Sequence, residues 1–209
     1  MNMYGIMMAT SFVAAYIYII LVLKSRGVNG EQILYSFMLS FFMMIAGAKI
    51  YSVIINGFQV DIIGAGMASM GAAIGIVMAT LIIGRIIPDK KCEYELAYFT
   101  ALPLFYGVSK IGCYFAGCCG GILHVQLLES ISNLAVFLWA ATCVCKRTEN
   151  GKLVPEKTMI ASLCLKFVLD FLRDEHTGKM LSVNQVICIL IIILVFIKIR
   201  RGKKVINNE

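Results

Sequence analysis

Apolar runs separated by short polar stretches recur from one end of the chain to the other, and no segment shows the strict two-residue alternation of a half-buried strand. Seven runs can be placed, at about residues 4–23, 32–55, 62–86, 95–118, 126–145, 158–172 and 182–197. Runs of roughly 18 to 25 apolar residues are long enough to cross a hydrocarbon core ~30 Å thick. Polar residues punctuate them: Lys24, Ser25, Arg26 and Gly27 after the first, Asn56 and Gly57 after the second, and Arg85, Pro88, Lys90 and Lys91 after the third. The polar stretch KRTENGKLVPEK parts the fifth from the sixth, and a basic tail follows the seventh. The pattern predicts an all-α, polytopic membrane protein of about seven transmembrane helices, forming one integral-membrane domain over residues 1–209. The first run begins almost at residue 1 without a basic leader and is not closed by a small-residue cleavage site, so it is expected to be a retained helix.

Composition agrees with this class. With 60% hydrophobic and 15% charged residues and a mean hydropathy of +0.85, the 209 residues do not describe an ordinary soluble domain. The three prolines and the missing alternation argue against a transmembrane barrel. A net charge of +7 raises the question of nucleic acid, but the cations sit in particular loops, as an orientation signal requires, and no nucleic-acid partner is expected. Lys24, Arg26, Arg85, Lys90, Lys91, Lys146, Arg147, Lys152, Lys157, Lys198, Arg200, Arg201, Lys203 and Lys204 fall on one side, and only Arg173 and Lys179 on the other. This asymmetry predicts an N-terminus outside and a cytoplasmic C-terminus.

Lys49, Lys110 and Lys166 remain, and they lie within predicted helices. An isolated ammonium in hydrocarbon costs several kcal/mol, so each needs an anionic partner, a wet cavity or a route to the interface along its own stem. Lys110 lies in GVSKIGCYFAGCCGG, residues 107–121, where Lys110, Cys113 and Gly117 follow at spacings of three and four and are expected on one helix face. Lys166, Asp170 and Arg173 form a second stripe, with a cation on each side of the carboxylate. Such a stripe is either a salt bridge that makes its own charges tolerable or a cationic wall oriented by one acid. Glu129 with Gln126 forms a third polar stripe, and Lys110 or Lys166 would satisfy the glutamate. In the third run, Gly71 and Gly75 form a GxxxG pair suited to close helix packing.

Most of the eight cysteines fall inside predicted spans; Cys143, Cys145, Cys164 and Cys188 are expected as small apolar fillers. Cys113, Cys118, Cys119 and His124 match no zinc spacing, so no metal is expected. Adjacent Cys118 and Cys119 lack the usual CxxC spacing but leave a thiol redox reading open.

At this point the residues resemble the prolipoprotein diacylglyceryl transferase family. Lys110-Ile-Gly-Cys-Tyr-Phe-Ala-Gly-Cys-Cys-Gly-Gly121 is similar to that family's G-R-[IL]-G-N-F-x-N-G-E-x-x-G type signature at the end of the fourth span. Tyr4-Gly5 resembles its Tyr-Gly, and Gly47-Ala48-Lys49-Ile50 its Gly-Gly-Arg-Ile. His124-Val-Gln-Leu-Leu-Glu129 is similar to a shortened His-Pro-Ser-Gln-Leu-Tyr-Glu, Lys166-Phe-Val-Leu-Asp-Phe-Leu-Arg173 to Arg-Phe-x-x-Glu-Phe-x-Arg, and Ser182-Val-Asn-Gln185 to Ser-Met-Gly-Gln.

The resemblance implies transfer of a diacylglyceryl group from phosphatidylglycerol to a lipobox cysteine thiol of a prolipoprotein, with glycerol phosphate as leaving group and no cofactor. It implies catalytic roles for Lys110, Lys166, Glu129 and Asp170. It implies substrate contacts from Tyr4, Lys49, Cys113, Cys118, Gly121, Gln126, Arg173 and Gln185. The chain departs from the pattern at Met70, where the family has a histidine, and at Lys110 and Lys166, where it has arginines. A lysine keeps the charge and loses the planar fork. The alternatives are a catalytically silent relative that binds a lipid or a lipoprotein precursor, and a membrane thiol redox protein.

Overall fold

The computed structural model describes residues 3–59, 61–62, 64, 66–117, 124–146, 153–173 and 181–206, with the side chains of 201–206 excepted. Seven α-helices are present among them: α1 (Met3–Ser25), α2 (Gly30–Ile55), α3 (Ser69–Ile86), α4 (Lys91–Ala116), α5 (Val125–Cys145), α6 (Val154–Asp170) and α7 (Val183–Ile206). A single 3-10 turn, Pro88–Lys90, precedes α4. Five helices, α1, α2, α3, α5 and α7, are long and apolar enough to cross a membrane. The other two carry more charge or are shorter: α4 holds Lys91, Glu93, Glu95 and Lys110, and α6 has 17 residues that include Glu156, Lys157, Lys166 and Asp170.

Two helix starts differ from the pattern in the sequence. The third apolar run was expected from about residue 62, but α3 begins at Ser69. Gly64 and Gly66 lie in the intervening stretch, and glycine gives up more backbone entropy on entering a helix than any other residue. At the other end of the gap, Gly57 and Phe58 take left-handed φ values of 62° and 60° and turn the chain out of α2. The sixth helix starts at Val154, inside what reads as polar loop, because Pro155 sits in its first turn, where a missing N–H costs nothing.

The chain divides into two compact units, one formed by Met1–Val13 with Pro103–Glu209 and the other by Ala14–Leu102; the boundaries fall within α1 and α4. In the second unit α2 and α3 meet backbone to backbone. A Cβ on Gly47 would lie 2.4 Å from the carbonyl oxygen of Gly71, one on Gly71 would lie 2.3 Å from that of Gly47, and one on Gly75 would lie 2.1 Å from that of Met43. The GxxxG pair therefore works as the small-residue rule predicts, with Gly47 as its counterpart. The N–H of Ala68, just ahead of α3, donates to Ala48 O on α2 at 3.3 Å. Hydroxyls are matched to hydroxyls in the same unit: Tyr16 with Ser40, Tyr98 with Ser36 (3.1 Å) and Ser40 (3.3 Å), and Tyr18 with Thr100 (3.1 Å). Lipid offers such groups no partner, so the helices must supply one.

In the first unit α5 packs on α6 and α6 on α7. Gly112 on α4 admits the start of α1, since a Cβ there would meet Met7 Cβ at 2.9 Å and Tyr4 O at 3.4 Å. Glu156, in the first turn of α6, pairs with Lys198 of α7 at 3.0 Å.

Candidate active site

Gly107 brings α4 against α5. A Cβ at this position would lie 3.0 Å from Leu134 Cγ and 3.1 Å from Ser130 O, so a methyl would press on both neighbours and the bare Cα eases the close approach of the two helices. Lys110, three residues further along α4, then reaches Glu129, the residue before Ser130. Its Nζ is 3.0 Å from Oε2, with the two side chains 2% and 1% exposed.

Two more cations arrive from α6 and from the turn after it. Lys166 Nζ lies 3.1 Å from Glu129 Oε1 and 3.4 Å from Asp170 Oδ1, its i+4 neighbour. The helix ends at Asp170, and a tight turn, with Arg173 N donating to Asp170 O at 3.2 Å, folds the arginine back over it. Arg173 Nη2 donates to both Glu129 oxygens, at 2.9 and 2.8 Å, and its Nε stands 3.5 Å from Asp170 Oδ1. Tyr106, one turn before Lys110, donates its hydroxyl to Glu129 Oε1 at 3.3 Å. Its ring lies beneath both ammonium groups, with centroid distances of 5.1 Å to Lys110 and 5.8 Å to Lys166, a geometry in which the π face attracts cations.

Asp170 is held from the other side by α7. The Ser182 hydroxyl donates to Asp170 Oδ2 and accepts the N–H of Gln185 at 3.1 Å, while Gln185 Oε1 accepts the N–H of Ser182 at 2.9 Å. This reciprocal pair is a capping box, which satisfies two N–H groups at the start of α7. The remaining amide of Gln185 donates to Phe167 O at 3.1 Å, tying α7 to α6.

Among the described residues the result is a buried cluster of three cations and two carboxylates, with one positive charge in excess. Charges removed from water are tolerable only when paired and hydrogen bonded, and Glu129 is the hub that does this for all three cations. An arrangement of this kind can hold an anion and stabilise negative charge that develops on it.

The family model for prolipoprotein diacylglyceryl transferase matches residues 1–200. The chain belongs to that family. Among curated relatives, it is 26% identical over 233 aligned positions to a Clostridium perfringens (strain 13 / Type A) protein named phosphatidylglycerol-prolipoprotein diacylglyceryl transferase 2, covering 91% of this chain and 86% of that one.

For a prolipoprotein diacylglyceryl transferase family member the residues expected at the site fall into three sets. Lys110, Glu129, Lys166, Asp170 and Arg173 are brought together, and both stripes that the sequence left open, Glu129 with its neighbours and Lys166 with its own, prove to be parts of one network. Gln126 is buried one turn before Glu129, Gln185 is fully buried in the capping box, Cys113 is half-buried one turn after Lys110, and Tyr4 is half-buried with its backbone against Gly112. Lys49 lies half-buried on α2 and Met70 buried in the first turn of α3, both in the other unit. Cys118 and Gly121, together with Cys119, lie outside the described residues.

Two expectations are corrected. Arg173 does not continue a helical stripe from Lys166 and Asp170, because α6 ends at Asp170 and Arg173 reaches the cluster from the turn after it. Gly117 does not continue the face of Lys110 and Cys113, because α4 stops at Ala116 and Gly117 turns with φ +64° while its N–H donates to Tyr114 O at 3.1 Å. Glycine ends helices in this way because a left-handed residue costs it no Cβ clash. Two network members were missed: Tyr106, whose signal was its four-residue spacing from Lys110, and Ser182, whose signal was the S-x-x-Q capping pattern.

Proposed function

We propose that the chain transfers a diacylglyceryl group from a phospholipid, phosphatidylglycerol, to the thiol of a lipobox cysteine in a prolipoprotein. The observation that carries the proposal is the convergence of Lys110, Lys166 and Arg173 on one buried anion position, in a member of this family. In the reaction the sulfur–carbon bond forms at the glyceryl carbon as the bond from that carbon to the phosphate oxygen breaks. The thiol proton is lost and glycerol phosphate leaves with the electron pair. Negative charge therefore grows on the phosphate, where the three cations stabilise it. The excess positive charge also favours the thiolate over the thiol. Glu129 and Asp170 orient the cations, and Tyr4, Cys113, Cys118, Gly121, Gln126 and Gln185 contribute contacts to the lipid or the acceptor segment.

In the same proposal residues 1–209 form one multi-pass domain with seven spans in a bacterial inner (cytoplasmic) membrane, the N-terminus outside and the basic tail in the cytoplasm. The cation asymmetry between alternate loops supports this orientation.

The purified chain, given phosphatidylglycerol and a lipobox peptide, is expected to release glycerol phosphate and yield the thioether peptide, and Lys110→Ala is expected to abolish both. Lipid binding with no glycerol phosphate released by the unaltered chain rejects the transferase in favour of a silent binder.

A further inference from the structure

We propose that Glu129 is an internal occupant of the headgroup phosphate position, displaced when lipid enters, so that every entering anion competes with its carboxylate. This rests on the transferase reading and adds to it a competing anion built into the chain. The geometry makes Glu129 a stand-in for an anion. Its Oε1 takes hydrogen bonds from Lys166, Arg173 and Tyr106, and its Oε2 faces Lys110 and Arg173, so a carboxylate with about four lone-pair directions is fully engaged. One arginine nitrogen bridges both oxygens, as it would bridge two non-ester oxygens of a phosphodiester.

Burial then decides between addition and exchange. The side chains of Lys110, Lys166 and Arg173 are 2%, 9% and 8% exposed and that of Glu129 is 1% exposed. The cations enclose Glu129, so an anion reaches them all at once only by taking the place its carboxylate now holds. Asp170 is held differently, pinned by Ser182 and the start of α7, and stays as the fixed counter-charge.

The exchange fixes the charge balance. With Glu129 displaced, the three cations and Asp170 leave two positive charges, and a monoanionic phosphodiester restores the single excess charge that Glu129 itself leaves. A dianionic phosphomonoester cancels both charges, and a zwitterionic headgroup brings a further ammonium toward three cations.

The test is binding, measured apart from turnover. Labelled phosphatidylglycerol in neutral detergent micelles is bound to the purified chain and competed with glycerol phosphate and with phosphatidylethanolamine. Glu129→Gln removes the internal anion and raises the excess charge to two. It is expected to tighten both anionic ligands by a common factor of about tenfold, because each is spared the same displacement. Weaker or unchanged binding of either overturns the proposal. Where that variant does not fold, Glu129→Asp withdraws the carboxylate by one methylene at constant charge. Both anions are then expected to tighten together with their ratio fixed, and weaker binding of either overturns the displacement. A chain that binds as described but releases no glycerol phosphate defeats the transferase reading alone, whereas turnover with unshifted binding in the variants defeats only the displacement.

Discussion

Arg173 grips Glu129 through a single nitrogen, Nη2, placed 2.9 Å from Oε1 and 2.8 Å from Oε2, while its Nε faces Asp170 Oδ1 at 3.5 Å. The guanidinium therefore spans both carboxylates from the turn after α6, and its planar fork is what makes the span possible. Arg173→Lys keeps the charge but reaches one carboxylate at a time. Losing a charge-assisted hydrogen bond, worth about 1.5–3 kcal/mol, is expected to lower kcat/KM by about ten- to a hundredfold. Glycerol phosphate release measures this, and activity equal to that of the unaltered chain refutes a spanning role.

Tyr106 offers two separable contacts. Tyr106→Phe removes only the 3.3 Å hydrogen bond to Glu129 and is expected to cost about 0.5–1.5 kcal/mol of stability. Tyr106→Leu also removes the ring beneath Lys110 and Lys166 and is expected to cost roughly a further 0.5–2 kcal/mol. Thermal unfolding in detergent ranks the pair, and equal losses for the two variants contradict a cation–π contribution.

Ser182 links the start of α7 to the site. Ser182→Ala removes the cap on Gln185 N and the hydrogen bond to Asp170 together. A lost cap alone costs about 1 kcal/mol. The expected stability loss is larger, about 2 kcal/mol, because Asp170 is left buried with one oxygen short of a donor. Ser182→Thr keeps the hydroxyl and is expected to restore most of it; failure of that rescue counts against the capping account.

Gly75→Ala tests the α2–α3 seam. The added methyl would sit 2.1 Å from Met43 O, and backbone cannot step aside as a side chain tip does. The two helices must separate, at a cost of about 1–3 kcal/mol or more. Gly5→Ala is the comparison, since a Cβ there meets nothing within 4 Å and alanine suits helix α1 better than glycine, so this variant is expected to lose no stability and to gain up to about 1 kcal/mol.

Much of this architecture could be read from local pattern, because both helix formation and membrane affinity are properties of a short window. Six of the seven helices start within about four residues of the expected apolar runs; α3 begins seven residues late, where glycine-rich chain is apolar enough for lipid but poorly suited to a helix. The stripes of Lys110, of Glu129 and of Lys166 with Asp170 and Arg173 were visible as spacings. That all of them share one carboxylate was not, since it depends on how closely α4 and α5 approach at Gly107 and on the turn that folds Arg173 back. Tyr106 and Ser182 went unread for the same reason: each looks ordinary until a neighbouring helix supplies its partner.

By itself, then, the sequence determined an all-helical chain with several membrane-capable spans, and determined that its buried charges must find partners, because hydrocarbon hydrates none of them. The tertiary structure decided which partners. Glu129 became the common counter-ion of three cations, and Asp170 the fixed one, because bare glycine surfaces set the helix separation and a capping box set where α7 begins, and contacts between distant segments have no period along the chain from which to be read.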